Sequence, residues 1–131
     1  MNVWVNGCFD ILHVGHIELL KYAKSLGTNL VVGIDTDERV KESKGNNRPF
    51  NNVEDRKSFL EAIRYVDKVV TYGSDNQLES HLLSNNINTM VIGSDWKDKR
   101  VVGETLVRKL VFFDRIGQHS TTRILENEIR I

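Results

Sequence analysis

Val3-Trp4-Val5-Asn6-Gly7-Cys8-Phe9-Asp10-Ile11-Leu12-His13-Val14-Gly15-His16 places an apolar triplet and a glycine-bearing turn ahead of two histidines three residues apart. Residues 17–26 then carry apolar side chains at helical spacing. The order reads as strand, turn and helix start. Such a turn leaves backbone N–H groups unpaired at the helix N-terminus, where the macrodipole favours an anion. Gly7 is expected to let the chain turn tightly, and Gly15 to leave room for a ligand. Each histidine can donate a hydrogen bond to a phosphate oxygen and, when protonated, offset its charge. The stretch therefore reads as a phosphate site. Two bland alternatives stay open: polar residues at a helix start, or a metal pair for which only Asp10 and Glu18 offer a local third ligand.

Outward from this turn the pattern repeats. Leu30-Val31-Val32-Gly33-Ile34 is a continuous apolar run, as in a strand covered on both faces. Residues 35–38 start a short helical or irregular piece, and residues 43–52 read as a loop with the only proline, Pro49. A helix capped by Asn51 or Asn52 is expected to about residue 65, with Phe59, Leu60 and Ile63 as its apolar stripe and Arg56 and Arg64 continuing it. Strands are expected at 67–72 and 88–92, a helix between them at 76–85, a charged loop at 94–104 and a fifth strand within 106–113. Ser120 is expected to cap a last helix carrying Ile124, Leu125 and Ile129. The reading is an α/β chain, a Rossmann-like three-layer sandwich with a parallel five-stranded sheet and helices on both faces, forming one domain over residues 1–131.

Composition narrows the function. Eighteen Lys plus Arg balance 18 Asp plus Glu, so nothing indicates bulk nucleic-acid binding, and any anion site must be local. One cysteine, Cys8, excludes an intrachain disulfide and fits a reducing compartment. Neither an export signal nor a membrane span is read, so the expected location is cytoplasmic.

In a parallel sheet, ligands lie at the carboxyl ends of the strands near the switch in strand order. The loops expected there bring together His13, His16, Lys44, Arg56, Arg64, Arg115 and the backbone amides of Ser120 to Thr122. A triphosphate would satisfy such donors, because phosphoryl transfer depends on positioning and on neutralising developing charge. There is no G-x-x-x-x-G-K-[ST] for a P-loop enzyme and no G-x-G-x-x-G for a dinucleotide. Each residue also has a plain role open to it: Lys44 as a solvated loop lysine, Arg56 and Arg64 in surface pairs, Cys8 as a small turn residue, Ser120 as a cap.

Together, Gly7-Cys8-Phe9-Asp10, His13-Val14-Gly15-His16 and Arg115-Ile116-Gly117-Gln118-His119-Ser120-Thr121-Thr122 resemble the cytidylyltransferase-like nucleotidyltransferases along essentially the whole chain. The resemblance implies transfer of a nucleotidyl group from an NTP, with Mg²⁺, to a phosphorylated acceptor, with release of pyrophosphate. It implies His13, His16, Lys44 and Arg115 as catalytic residues, with Lys41 competing for the lysine's place. It implies nucleotide contacts from Gly7, Cys8, Phe9, Gly15, Gly93, Asp95, Trp96, Ser120, Thr121 and Thr122. Acceptor contacts are expected from Asp10, Lys44, Arg56 and Arg64, and no resident protein-bound metal. A homodimer is also implied, with neither nucleic acid nor membrane as a partner. Gly93-Ser94-Asp95-Trp96 and the spacing of Arg56 and Arg64 resemble glycerol-3-phosphate cytidylyltransferase. Lys44-Gly45-x-x-Arg48-Pro49 and Val101-Val102-Gly103-Glu104 resemble adenylyltransferases acting on heptose 1-phosphate. The reading leans to CTP and a small polyol phosphate such as glycerol 3-phosphate. A non-catalytic nucleotide-binding module is the contrasting class.

Overall fold

A computed structural model describes residues 1–114 of the chain. The elements in order are β1 (Asn2–Gly7), α1 (Val14–Ser25), β2 (Asn29–Asp35), α2 (Asp37–Lys44), α3 (Val53–Glu61), β3 (Lys68–Tyr72), α4 (Asp75–Ser84), β4 (Thr89–Gly93) and β5 (Lys109–Phe113). The five strands form one parallel sheet in the order β3-β2-β1-β4-β5. The Rossmann-like α/β fold expected from the alternation is the fold observed.

Alternation within the strands assigns the two faces. Val3 and Val5 of β1, with Leu30, Val32 and Ile34 of β2, face Leu20 and Ala23 of α1 and Leu60 of α3. Trp4, Val31, Tyr72 and Met90 face the other way, against Leu78 and Leu82 of α4. β2 is apolar on both sides because it is covered on both sides. Thr36, Asn52 and Ser74 each cap the helix that follows by accepting an N–H with the side chain.

The glycine in β2 has a packing reason. A Cβ on Gly33 would stand 2.4 Å from Cη2 and Cζ2 of Trp4 and 3.1 Å from Cε1 of Tyr72. Trp4 is fully buried, its Nε1 donates to Asn6 Oδ1 at 2.8 Å, and Asn6 Nδ2 donates to Tyr72 Oη at 3.4 Å. The indole therefore has neither space nor freedom to retreat. Gly33→Ala is expected to cost about 1–3 kcal/mol through overpacking, read as a lower denaturation midpoint. An unchanged midpoint would mean that the Trp4 ring shifts at no cost.

Two boundaries differ from the sequence reading. α2 is a full helix to Lys44, so Lys44 ends a helix instead of lying within a loop. α3 stops at Glu61, and the following turns, with Ile63 N donating to Leu60 O and Val66 N to Ile63 O, lead into β3. The charged loop after β4 contains short 3₁₀ turns at Ser94–Trp96 and Glu104–Leu106, and β5, Lys109–Phe113, lies within the expected span. The last helix and the 115–122 block fall outside the described residues.

Candidate active site

The strand order reverses between β1 and β4, so the crevice lies at their carboxyl ends. From β1 comes the turn that carries the histidines; from β4 come Gly93 and the Ser94–Trp96 turn.

His13 is the N-cap of α1. Its Nδ1 accepts the N–H of Gly15 at 3.1 Å, and the Nδ1 of His16 accepts the N–H of His13 at 3.2 Å. This is a capping box built from histidines. A nitrogen that accepts an N–H carries no proton, so each neutral ring holds its hydrogen on Nε2. The rings stack with centroids 3.9 Å apart, and Phe9 closes on His16 at 5.2 Å. The pair is fixed in tautomer and in orientation.

The turn is shaped differently from the expectation placed on Gly7. Gly7 is the last residue of β1, and the left-handed backbone falls on Phe9, at φ 49. A Cβ on Gly7 would lie 3.2 Å from Cε2 of Phe9. Gly7 thus makes room for the ring that supports His16, while Phe9 holds the uncommon conformation.

Asp10 and Arg56, both expected to touch the acceptor, are turned inward. Asp10 is 1% exposed; its Oδ1 accepts the N–H of Asn51, and its Oδ2 accepts the N–H of Phe50 and Nε of Arg48. Burial alone would raise its pKa, but the hydrogen bonds from Asn51, Phe50 and Arg48 hold it below the usual carboxylate value. Arg56 is fully buried, donating to Asn51 O, Cys8 O and Asp37 Oδ1. These two residues fasten the loop of residues 45–52 and the start of α2 to the histidine turn. Arg64 is not brought to the rim: it is exposed after α3, near the start of β3, and donates to Tyr65 Oη.

Lys44 is exposed at the end of α2, and its charge is felt at Cys8 and Asp35; Lys41 lies within the same helix and is also exposed. Burial pushes the Cys8 thiol up, away from a nucleophile's range, with Lys44 and Arg56 opposing more weakly. On the β4 side, the carboxylate of Asp95 folds back over Gly93, where a Cβ would lie 2.6 Å from Oδ1. Trp96 is 45% exposed, with Lys99 Nζ 5.7 Å from its ring centroid. An open indole beside this crevice offers a face on which a base can stack. Arg115, Ser120, Thr121 and Thr122 lie outside the described residues. Among those residues no group of three or more His, Cys, Asp and Glu side chains is arranged to hold a metal ion. No helix among them is long and apolar enough to cross a membrane.

One residue escaped the sequence reading: Arg48, quoted only as part of a motif, is 13% exposed and reaches Asp10. Its signal was the adjoining proline, which marked a shaped loop.

Comparison with known proteins places the chain in a family. The cytidylyltransferase-like family model matches residues 4–127. The bifunctional protein HldE of Campylobacter fetus is 44% identical over 98% of this chain, and that of Helicobacter hepaticus 39% identical over 95%. The chain spans only 28% and 26% of the length of those relatives. In fold it resembles a lipopolysaccharide core biosynthesis protein from Thermoplasma volcanium, with a TM-score of 0.68 at 23% identity, covering 92% of this chain and 98% of that one. A family match along nearly all of the chain, joined to relatives of this identity, shows that the chain belongs to the cytidylyltransferase-like family.

Proposed function

We propose that the chain transfers the adenylyl group of ATP to a phosphorylated sugar such as heptose 1-phosphate and releases pyrophosphate. The histidine capping box carries the reaction type: two oriented Nε2 donors at a helix N-terminus, at the switch point of the sheet. The choice of ATP and a sugar phosphate is supported by likeness to the HldE proteins and by the Lys44-Gly45-x-x-Arg48-Pro49 and 101–104 features. The CTP and glycerol 3-phosphate reading leaned partly on Arg56 and Arg64. One is spent inside the protein and the other stands away from the rim, so that support is weaker.

An oxygen of the acceptor phosphate attacks the α-phosphorus in line. The bond from that phosphorus to the bridging oxygen breaks, its electron pair leaves with pyrophosphate, and a new phosphoanhydride remains. The attacking phosphate is mostly dianionic near neutral pH, so no base is required. His13 and His16 donate to the oxygens on which charge grows. Lys44 and, by resemblance, Arg115 and the amides of Ser120, Thr121 and Thr122 offset the triphosphate. Asp10 is buried with both oxygens engaged by N–H donors, and the donor set of the turn suits phosphates better than cations. Mg²⁺ would arrive with the triphosphate and would neutralise part of its charge.

The test is pyrophosphate release with ATP or CTP against heptose 1-phosphate or glycerol 3-phosphate. ATP with heptose 1-phosphate is expected to be the fastest pair. Faster release from CTP with glycerol 3-phosphate would reverse the substrate assignment. Nucleotide binding with no release from any pair would leave a binding module.

A further inference from the structure

Arg48 holds the one buried side-chain nitrogen or oxygen without a hydrogen-bond partner among the described residues, its Nη2. Nε and Nη2 form the edge of a guanidinium that ordinarily grips a carboxylate with both nitrogens. Here Nε donates to Asp10 Oδ2 at 3.0 Å, which also accepts the N–H of Phe50, while Oδ1 accepts the N–H of Asn51 and is not reached by Nη2. The second half of the fork is left unused. Leaving a charged donor sealed from water and unpaired is unfavourable, and such a group calls for a ligand or another specific cause.

The place of this nitrogen gives the ligand's chemistry. Asp10 precedes the His13 cap by three residues, so Arg48 borders the phosphate-transfer turn. Its loop follows β2 and α2 and therefore stands on the β2 side of β1, whereas the Gly93–Trp96 segment stands on the β4 side. A nucleotide lying towards β4 and β5 leaves the β2 side to the acceptor. Residues 41–47 and Phe50 of the same segment are exposed, so little packing resists a small shift that admits a ligand.

We infer that Arg48 is an acceptor-binding residue, its Nη2 donating to a non-attacking oxygen of the acceptor's phosphate while Nε stays on Asp10. This rests on the adenylyl-transfer reading and adds to it the residue that selects a phosphorylated acceptor. Lysine cannot replace it, because a single ammonium does not span both Asp10 and a phosphate in the fork geometry.

The experiment compares the parent chain with Arg48→Lys and Arg48→Gln. At saturating ATP, KM for heptose 1-phosphate is expected to rise about tenfold to a hundredfold, the loss of one charge-assisted hydrogen bond. KM for ATP is expected to stay near the parent's, while the denaturation midpoint falls because the buried Asp10 carboxylate loses its cationic partner. An unchanged acceptor KM overturns the assignment, and so does a matched rise in both KM values, which marks a purely structural arginine. Should the variants fold poorly, the parent decides: its Arg48 guanidinium NMR signal must shift on adding heptose 1-phosphate alone and not on adding ATP alone. No shift with the sugar phosphate, or an equal shift with ATP, overturns the proposal. If the parent itself releases no pyrophosphate from any substrate pair, the activity reading fails first, and that failure shows before any variant is made.

Discussion

His16→Ala is expected to lower kcat by 10²–10³, about 2.7–4 kcal/mol of transition-state stabilisation, with a much smaller change in KM for the nucleotide. The asymmetry follows from where the donor acts. The Nε2 hydrogen of His16 is held in place before substrate arrives, by the N–H of His13 on its Nδ1, by the stacked His13 ring and by Phe9. A donor fixed in this way acts most strongly on charge that appears only as the α-phosphorus becomes five-coordinate. The same substitution opens half of the capping box and should cost about 1 kcal/mol of stability. That is too little to unfold a typical domain and separates folding from chemistry. Steady-state pyrophosphate release with the denaturation midpoint measured in parallel checks both parts. Turnover within a few-fold of the parent would remove His16 from the chemistry.

The sequence shows most clearly those features that periodicity and spacing encode. The apolar run at Leu30-Val31-Val32 and Ile34 reads as a strand covered on both faces, and it is the one between β1 and β3. The two histidines at three-residue spacing marked a helix start, and they form its cap. What spacing does not carry is the direction in which a polar side chain turns. Arg56 continues the apolar stripe of α3, which is compatible equally with a cleft and with the interior. Its burial is decided by Cys8 O, Asn51 O and Asp37, far apart in the chain. Asp10 likewise depends on residues 48–51 folding back across the turn. The glycine at position 7 drew attention to itself, whereas the left-handed conformation fell on Phe9, because a side chain there reaches back over Gly7 to support His16.

Asp10→Ala is the substitution expected to cost the most stability, about 3–5 kcal/mol, since it leaves the buried Arg48 guanidinium unpaired. The N–H groups of Phe50 and Asn51 lose their acceptor as well, and the loop of residues 45–52 loses its main hold on the histidine turn. Protonation offers a milder version of the same lesion. The carboxyl of Asp10 titrates below its ordinary value in the folded chain, since the Asn51, Phe50 and Arg48 hydrogen bonds outweigh the opposing effect of burial. A carboxylate whose folded pKa is depressed stabilises fully above its unfolded pKa, and the contribution fades as pH falls through the folded value. Denaturant unfolding of parent and Asp10→Ala should therefore differ by the full amount at pH 7. The gap should narrow from about pH 4 downward, as the parent's carboxyl takes up the proton that its hydrogen bonds have kept off. The variant lacks the group and so lacks this part of the pH dependence. A gap that stays constant from pH 7 to pH 3 would show that the carboxylate's charge does not hold the loop. Turnover should fall with stability in Asp10→Ala, because the loop that Asp10 fastens carries Arg48 and adjoins Lys44.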